Sequence, residues 1–143
     1  MEDFDKAYQR ALRLLSVKGR FKREVEERLC SEQFSEGAIA HAIERCVRAG
    51  YFDDIERGRQ KSLSRARKGY GSKRISVELS QFLSEEEVQG VVEQLDETRA
   101  LEQYLQKHPK ICDDPKAKQR LLRRGFHYRV IEEVFAKYRT PDL

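Results

Sequence analysis

Apolar residues recur along this chain at helical spacing almost from end to end. Ile39, Ala42, Ile43, Cys46 and Val47 follow the i, i+3, i+4, i+7, i+8 rhythm of one buried helical face. Val88, Val91, Val92 and Leu95 repeat it, as do Val130, Ile131, Val134, Phe135 and Tyr138. A shorter apolar helix precedes each of these: Val25 with Leu29, then Ile75 with Leu79, then Ala117 with Leu121. Ahead of those a third helix is predicted in each case. It carries Phe4, Ala7, Ala11 and Leu14 in the first unit, and Ile55, Leu63 and Ala66 in the second. In the third it carries Ala100, Leu101, Tyr104 and Leu105. Strand signals are nearly absent.

The spacing makes the pattern a repeat. Val25, Leu29, Phe34, Ile39 and Ile43 step by 4, 5, 5, 4 residues, and Ala117, Leu121, Phe126, Ile131 and Phe135 step identically. Ile75, Leu79, Leu83, Val88 and Val92 step by 4, 4, 5, 4, one residue shorter across the second turn. Periods of this size belong to helical repeat architectures. The predicted fold is all-α, an elongated tandem array of three three-helix modules: residues 1–52, 53–96 (the basic module) and 97–143. Local punctuation agrees. Ser84-Glu85-Glu86-Glu87 reads as a capping box, Asp53 or Asp54 as a cap, and Asp114-Pro115 as an N-cap followed by proline at the first helical position. Gly50, Gly69 and Gly125 read as C-terminal stops.

Composition narrows the class. The chain has 143 residues, 38% of them charged against 38% hydrophobic. Soluble domains average about 25% charged, so a thin core and much wet surface follow. The regular apolar spacing argues against disorder. No apolar run approaches the roughly 18 residues of a membrane span, and Met1-Glu2-Asp3 opens no signal peptide. Cys30, Cys46 and Cys112 are widely spaced and read as small core residues of a reduced, cytoplasmic protein. His41, His108 and His127 show no metal-ligand spacing. No nucleophile–base grouping is suggested locally, so neither catalysis, a cofactor nor a small-molecule substrate is expected.

A net charge of +4 hides a segregation. Arg57, Arg59, Lys61, Arg65, Arg67, Lys68, Lys73 and Arg74 fall in one acid-free stretch. Lys116, Lys118, Arg120, Arg123, Arg124 and Arg129 fall in a second. Like charges at i, i+4 repel, so something outside these helices must compensate. Phosphate is the obvious candidate, because cations on adjacent helices release counterions from a nucleic-acid backbone without reading sequence. Tyr70, in Gly69-Tyr70-Gly71-Ser72 between two basic helices, either stacks on a base or covers the core. The expected binding surface is Arg57, Arg59, Lys61, Arg65, Arg67, Lys68, Tyr70, Lys73 and Arg74, with Arg120, Arg123 and Arg124 as a second contact.

These motifs together resemble the RecX family across essentially the full chain. They are Ala11-Leu12-Arg13-Leu14-Leu15, Glu24 with Leu29, and Gly50-Tyr51-Phe52-Asp53-Asp54. They continue with Arg65-Ala66-Arg67-Lys68-Gly69-Tyr70-Gly71 and Leu121-Leu122-Arg123-Arg124-Gly125-Phe126. The resemblance implies a regulator, most often an inhibitor, of the RecA recombinase. Such a protein binds the RecA filament on single-stranded DNA, along its groove or at its end, without cofactor or catalysis. Two positions depart from the family pattern. Phe21 stands where a capping Ser is common, which removes the partner of Glu24, and His127 stands where Ser is common before the last helix. Each loses about 1 kcal/mol of capping. The nearest alternative is a sequence-independent DNA-binding protein of helix-turn-helix-like units; a helical scaffold for another protein is farther.

Overall fold

The computed structural model describes residues 2–139. Among them lie nine α-helices, one short 3-10 helix and no strand. The helices are α1 (Glu2–Val17), α2 (Lys22–Ser31), α3 (Glu36–Arg48), α4 (Asp54–Arg67), α5 (Ser72–Leu79), α6 (Glu85–Glu93), α7 (Glu97–Lys107), α8 (Ala117–Arg123) and α9 (Tyr128–Arg139). The chain divides into two compact units, Met1–Arg57 and Gly58–Leu143.

In the first unit α1, α2 and α3 close around Ala7, Ala11, Leu14, Val25, Leu29, Ala38, Ala42, Ile43 and Cys46. Small residues on α1 and α3 let the two helices approach, and Phe4, Tyr8, Phe34, Ile39 and Phe52 seal the edges. Val47, expected on this buried face, is 49% exposed; Ala38 takes the inward position instead. Cys30, expected as a core residue, is exposed, whereas Cys46 is buried and Cys112 half-buried.

The missing Ser at position 21 is made good in another way. Phe21 is buried, and its amide donates to Glu24 Oε1 at 2.9 Å, so Glu24 keeps its half of the capping box. Asp54 Oδ1 accepts from the next orphan amide, Lys22 N, at 3.1 Å. Asp53, not Asp54, caps its own helix, accepting from Glu56 N at 3.2 Å.

In the second unit the inward faces are Ile75, Leu79, Leu83, Val88 and Val91 from α5 and α6. Leu101, Leu105, Ala117, Leu121, Phe126, Ile131, Val134 and Phe135 form the core of α7–α9. The face of α4 differs from expectation. Ile55 (46%) and Leu63 (38%) are exposed, and α4 packs through Gly58, Ser62 and Ala66. A Cβ on Gly58 would lie 2.8 Å from Leu83 Cδ1. Ser62 satisfies its buried hydroxyl by donating to Arg59 O at 3.2 Å. The side chain of Tyr138 lies outside the described residues.

The 4, 5, 5, 4 rhythm has a hydrogen-bonded cause. Phe34 N donates to Leu29 O at 3.3 Å and Gln33 N to Cys30 O at 3.0 Å. Phe126 N donates to Leu121 O at 3.2 Å and Gly125 N to Leu122 O at 3.0 Å. Each is a Schellman C-cap, whose closing pair is five residues apart and places one apolar side chain over the other. In the middle repeat Phe82 N and Leu83 N both reach Leu79 O at 2.9 Å, a tighter turn that removes one residue. Ser84 and Glu87 form the expected capping box. Asp114 instead holds a turn before α8, accepting from Lys116 N at 2.8 Å. The helix starts two residues after Pro115, following the 3-10 helix Pro109–Asp113.

Candidate functional site: a cationic junction

The basic residues singled out from the sequence have unlike roles. Arg57 belongs to the first unit, where its guanidinium covers Gly19 so closely that a Cβ there would lie 1.7 Å from Nη2. In the second unit Arg59 is exposed, and Lys61 Nζ lies 5.3 Å from the Phe82 ring centre.

Tyr70 organises the rest. It follows Gly69, which ends α4 with φ 87°. The Tyr70 amide donates to Arg65 O at 3.1 Å, the same Schellman closure seen at the apolar turns. Here the stacked pair is a guanidinium on a ring. The guanidinium carbons of Arg65, Arg124 and Arg74 lie 4.0, 4.4 and 4.6 Å from the Tyr70 ring centre. Arg65 also clasps Glu78 in a bidentate pair, Nε–Oε2 2.8 Å and Nη2–Oε1 2.7 Å. Arg74 Nε reaches the same carboxylate at 3.6 Å. Arg124 donates through Nε to Gly69 O at 2.6 Å and through Nη2 to Lys68 O at 2.7 Å. These are carbonyls at the C-terminus of α4, where a cation also complements the helix dipole. Tyr70 therefore spends its ring on arginines of its own chain.

The backbone is stitched across the same place. Gly71 N donates to Arg124 O at 2.8 Å and Lys73 N to Gly125 O at 3.0 Å. Glu97, only 10% exposed, accepts from Ser72 N (3.2 Å), Ser72 Oγ (2.8 Å) and His127 N (3.2 Å). One carboxylate thus serves the N-termini of α5 and α9, where negative charge is favoured. His127 gains in this way a backbone partner for the hydroxyl cap it lacks.

Like charge in the basic stretches is compensated in large part from within the chain. Glu78 answers Arg65 and Arg74, Asp114 answers Arg120 at 3.0 Å, and Glu132 answers Lys118 at 2.8 Å. Arg67, Lys68, Lys73 and Arg123 remain exposed, with no carboxylate partner among the described residues. Sequence reasoning missed Glu78 and Glu97. The first had a local signal, four residues beyond Arg74 on one helix; the second had none. Among the described residues no group of three or more His, Cys, Asp or Glu could hold a metal ion, and no helix is long and apolar enough to cross a membrane.

Burial pushes the Glu78 carboxyl up, but the Arg65 hydrogen bonds and the charges of Arg65, Lys61 and Arg74 outweigh it and hold it below its ordinary value. A carboxyl lowered on folding stabilises above the unfolded value, about 4.3 for Glu, and that stability is lost as pH falls through the lower folded value. Glu78→Gln should cost about 1–2 kcal/mol at pH 7. The gap from wild type should close in urea melts below pH 4. A gap unchanged at acid pH would show that packing, not charge, is the contribution of Glu78.

Comparison with known proteins places this arrangement. Residues 7–46 match the family model for RecX, first three-helix domain. The chain is 29% identical over 147 aligned positions to Regulatory protein RecX of Legionella pneumophila strain Corby, covering 96% of this chain and 98% of that one. The crystal structure of RecX from Lactobacillus salivarius superposes with a TM-score of 0.80 at 23% identity, over 95% of this chain and 96% of that one. A second crystal structure of regulatory protein RecX gives 0.81 at 19% identity, over 94% of this chain and 72% of that one. The repeat, its turn chemistry and the end-to-end alignment agree: the chain is similar to RecX proteins over nearly its whole length, and its first three helices match the RecX first three-helix domain.

Proposed function

We propose that this protein is a cytoplasmic regulator of a RecA-type recombinase. It binds the recombinase filament on single-stranded DNA, in the filament groove or at its end, and restrains ATP hydrolysis and strand exchange without itself being a catalyst. The observation that carries the reading is the alignment over 96% of the chain with a protein named Regulatory protein RecX. A chain of repeated modules, 1–52, 53–96 and 97–143, suits an extended partner surface better than a pocket ligand. The test is ATP hydrolysis by preformed filaments during titration. Suppression is expected at less than one molecule per recombinase protomer, and hydrolysis unchanged by excess protein would overturn the proposal.

Within this reading the exposed cations Arg67, Lys68, Lys73 and Arg123 contact phosphate or an acidic filament surface. Arg65, Tyr70, Arg74 and Arg124 act indirectly, by fixing the junction that presents them. Replacing the four exposed cations with Ala should leave melting within about 0.5 kcal/mol of wild type. Filament affinity should fall. If all four meet single-stranded phosphates, the slope of log affinity against log salt should drop by about 3. Wild-type affinity and slope in the folded variant would remove these residues from the interface.

A further inference from the structure

Between α2 and α3 the first unit leaves an open groove of about 640 Å³. Ile39, Ala40, Ile43 and Val47 give it an apolar floor. Glu26, Glu27, Glu36 and Glu44 rim it against one cation, Lys22; Glu44 also pairs with Arg48. Between α5 and α6 the second unit leaves a groove of about 800 Å³. Its apolar residues are Val77 (67% exposed), Leu83, Val88 and Val92, and Glu85 and Glu93 are its only charges.

The two grooves are the same feature in two repeats. Glu36, Ile39, Ala40, Ile43 and Glu44 correspond to Glu85, Val88, Gln89, Val92 and Glu93 at a constant offset of 49 residues. In the third repeat an ion pair spans the equivalent place. Lys118 Nζ bonds Glu132 Oε1 at 2.8 Å from α8 to α9 and lies 5.8 Å from the Phe135 ring centre. The first two repeats thus leave aliphatic surface in water, a state that disfavours the free protein.

Charge selects the occupant. The paired glutamates on α3, and again on α6, are eight residues apart, or about 12 Å along a helix. They bracket aliphatic side chains at i, i+4, a spacing that meets the apolar stripe of another helix. From this geometry we infer that each groove takes one basic amphipathic helical segment of a partner protein, with aliphatic anchors on the floor and Lys or Arg at the glutamate ends. This deepens the filament reading by adding a protein-docking surface distinct from the exposed cations, and its first test does not depend on that reading.

Cys30 lines the first groove and is exposed, while burial raises the thiols of Cys46 and Cys112. Iodoacetamide alkylation of Cys30 therefore reports occupancy. The first probe is a 14-residue helical peptide of Leu and Lys. It should bind saturably and slow Cys30 alkylation at least about fivefold. Ala40→Arg, which places bulk and like charge on the floor, should weaken binding about tenfold, whereas Ala40→Glu should retain it. Ala40 is exposed on α3, and unchanged melting of both variants verifies the fold. Full Cys30 reactivity under saturating peptide, or equal binding by both variants, would overturn the inference.

The second arm replaces the peptide with recombinase filaments carrying a non-hydrolysable ATP analogue. Cys30 protection, with weaker binding by Ala40→Arg and Gln89→Arg, is expected. If the peptide binds as described but the wild-type protein ignores filaments, the groove stands and the filament reading falls. If filaments bind and Cys30 stays fully reactive with Ala40→Arg unimpaired, the groove falls as the filament's docking site.

Discussion

Gly71→Ala should destabilise the second unit by about 3 kcal/mol, a fall in urea midpoint of about 1–3 M. A Cβ at this position would lie 2.2 Å from Phe126 N and 2.3 Å from the Gly125 carbonyl carbon. Both are backbone atoms, so no rotamer change relieves the clash. The chain must move apart there, and with it go the bonds from Gly71 N to Arg124 O and from Lys73 N to Gly125 O. Gly125 faces the same contact from the other side: its φ is 96°, and a Cβ would lie 2.6 Å from Arg74 N. Gly90→Ala is the control. It lies within α6 with nothing inside 4 Å of an added Cβ, so Ala should stabilise by about 0.5–1 kcal/mol through helix propensity. Equal effects of the two substitutions would show that the close approach at Gly71 does not limit stability.

The repeat was legible in the sequence because its cause is local. Leu29 to Phe34 and Leu121 to Phe126 are five apart because a Schellman turn puts the closing amide five residues on, and an apolar pair follows the bond. The middle repeat's missing residue was equally visible, as a turn in which two amides share Leu79 O. The face of α4 was not legible. Gly58, Ser62 and Ala66 repeat every four residues but carry no apolar signal, whereas Ile55 and Leu63 look like core and are exposed. Hydrophobic periodicity detects helices that pack through large side chains, and α4 packs through their absence.

The cationic surface was half legible. The cations themselves are plain in the sequence, but which of them are already engaged depends on Glu78, Asp114 and the carbonyls of Lys68 and Gly69, brought to them by folding. Arg120 and Arg123 are three residues apart on one helix, yet the first holds a carboxylate at 3.0 Å and the second faces solvent. Glu97 is 25 residues from Ser72 and 30 from His127, distances over which no local rule operates. The departure at Phe21 follows the same logic. Its replacement cap, Asp54, comes from 32 residues away from the Lys22 amide it accepts.

Arg124→Ala is expected to cost about 2–4 kcal/mol, although the sequence alone marks Arg124 as a binding residue. Its guanidinium makes two short charge-assisted bonds to carbonyls of Gly69 and Lys68, which otherwise end α4 without these donors. It also covers the Tyr70 ring at 4.4 Å and approaches the Tyr104 ring at 5.6 Å. Removing it loosens the end of α4, uncovers Tyr70 and leaves Arg65 and Arg74 on that ring. Relief of repulsion among three guanidiniums offsets part of the loss, since Glu78 supplies one negative charge to the group. Arg124→Lys should recover less than half, because an ammonium cannot span two carbonyls while lying flat on a ring. The double variant Arg124→Ala with Tyr70→Leu should lose less than the sum of the single variants, by about 0.5–1 kcal/mol, if stacking couples them. Urea melts of the four proteins decide the matter. A full loss of filament binding in Arg124→Ala with wild-type melting would make Arg124 a direct contact. Weaker melting, with binding restored at low temperature where the junction re-forms, would make it the residue that holds Arg67, Lys68, Lys73 and Arg123 in place.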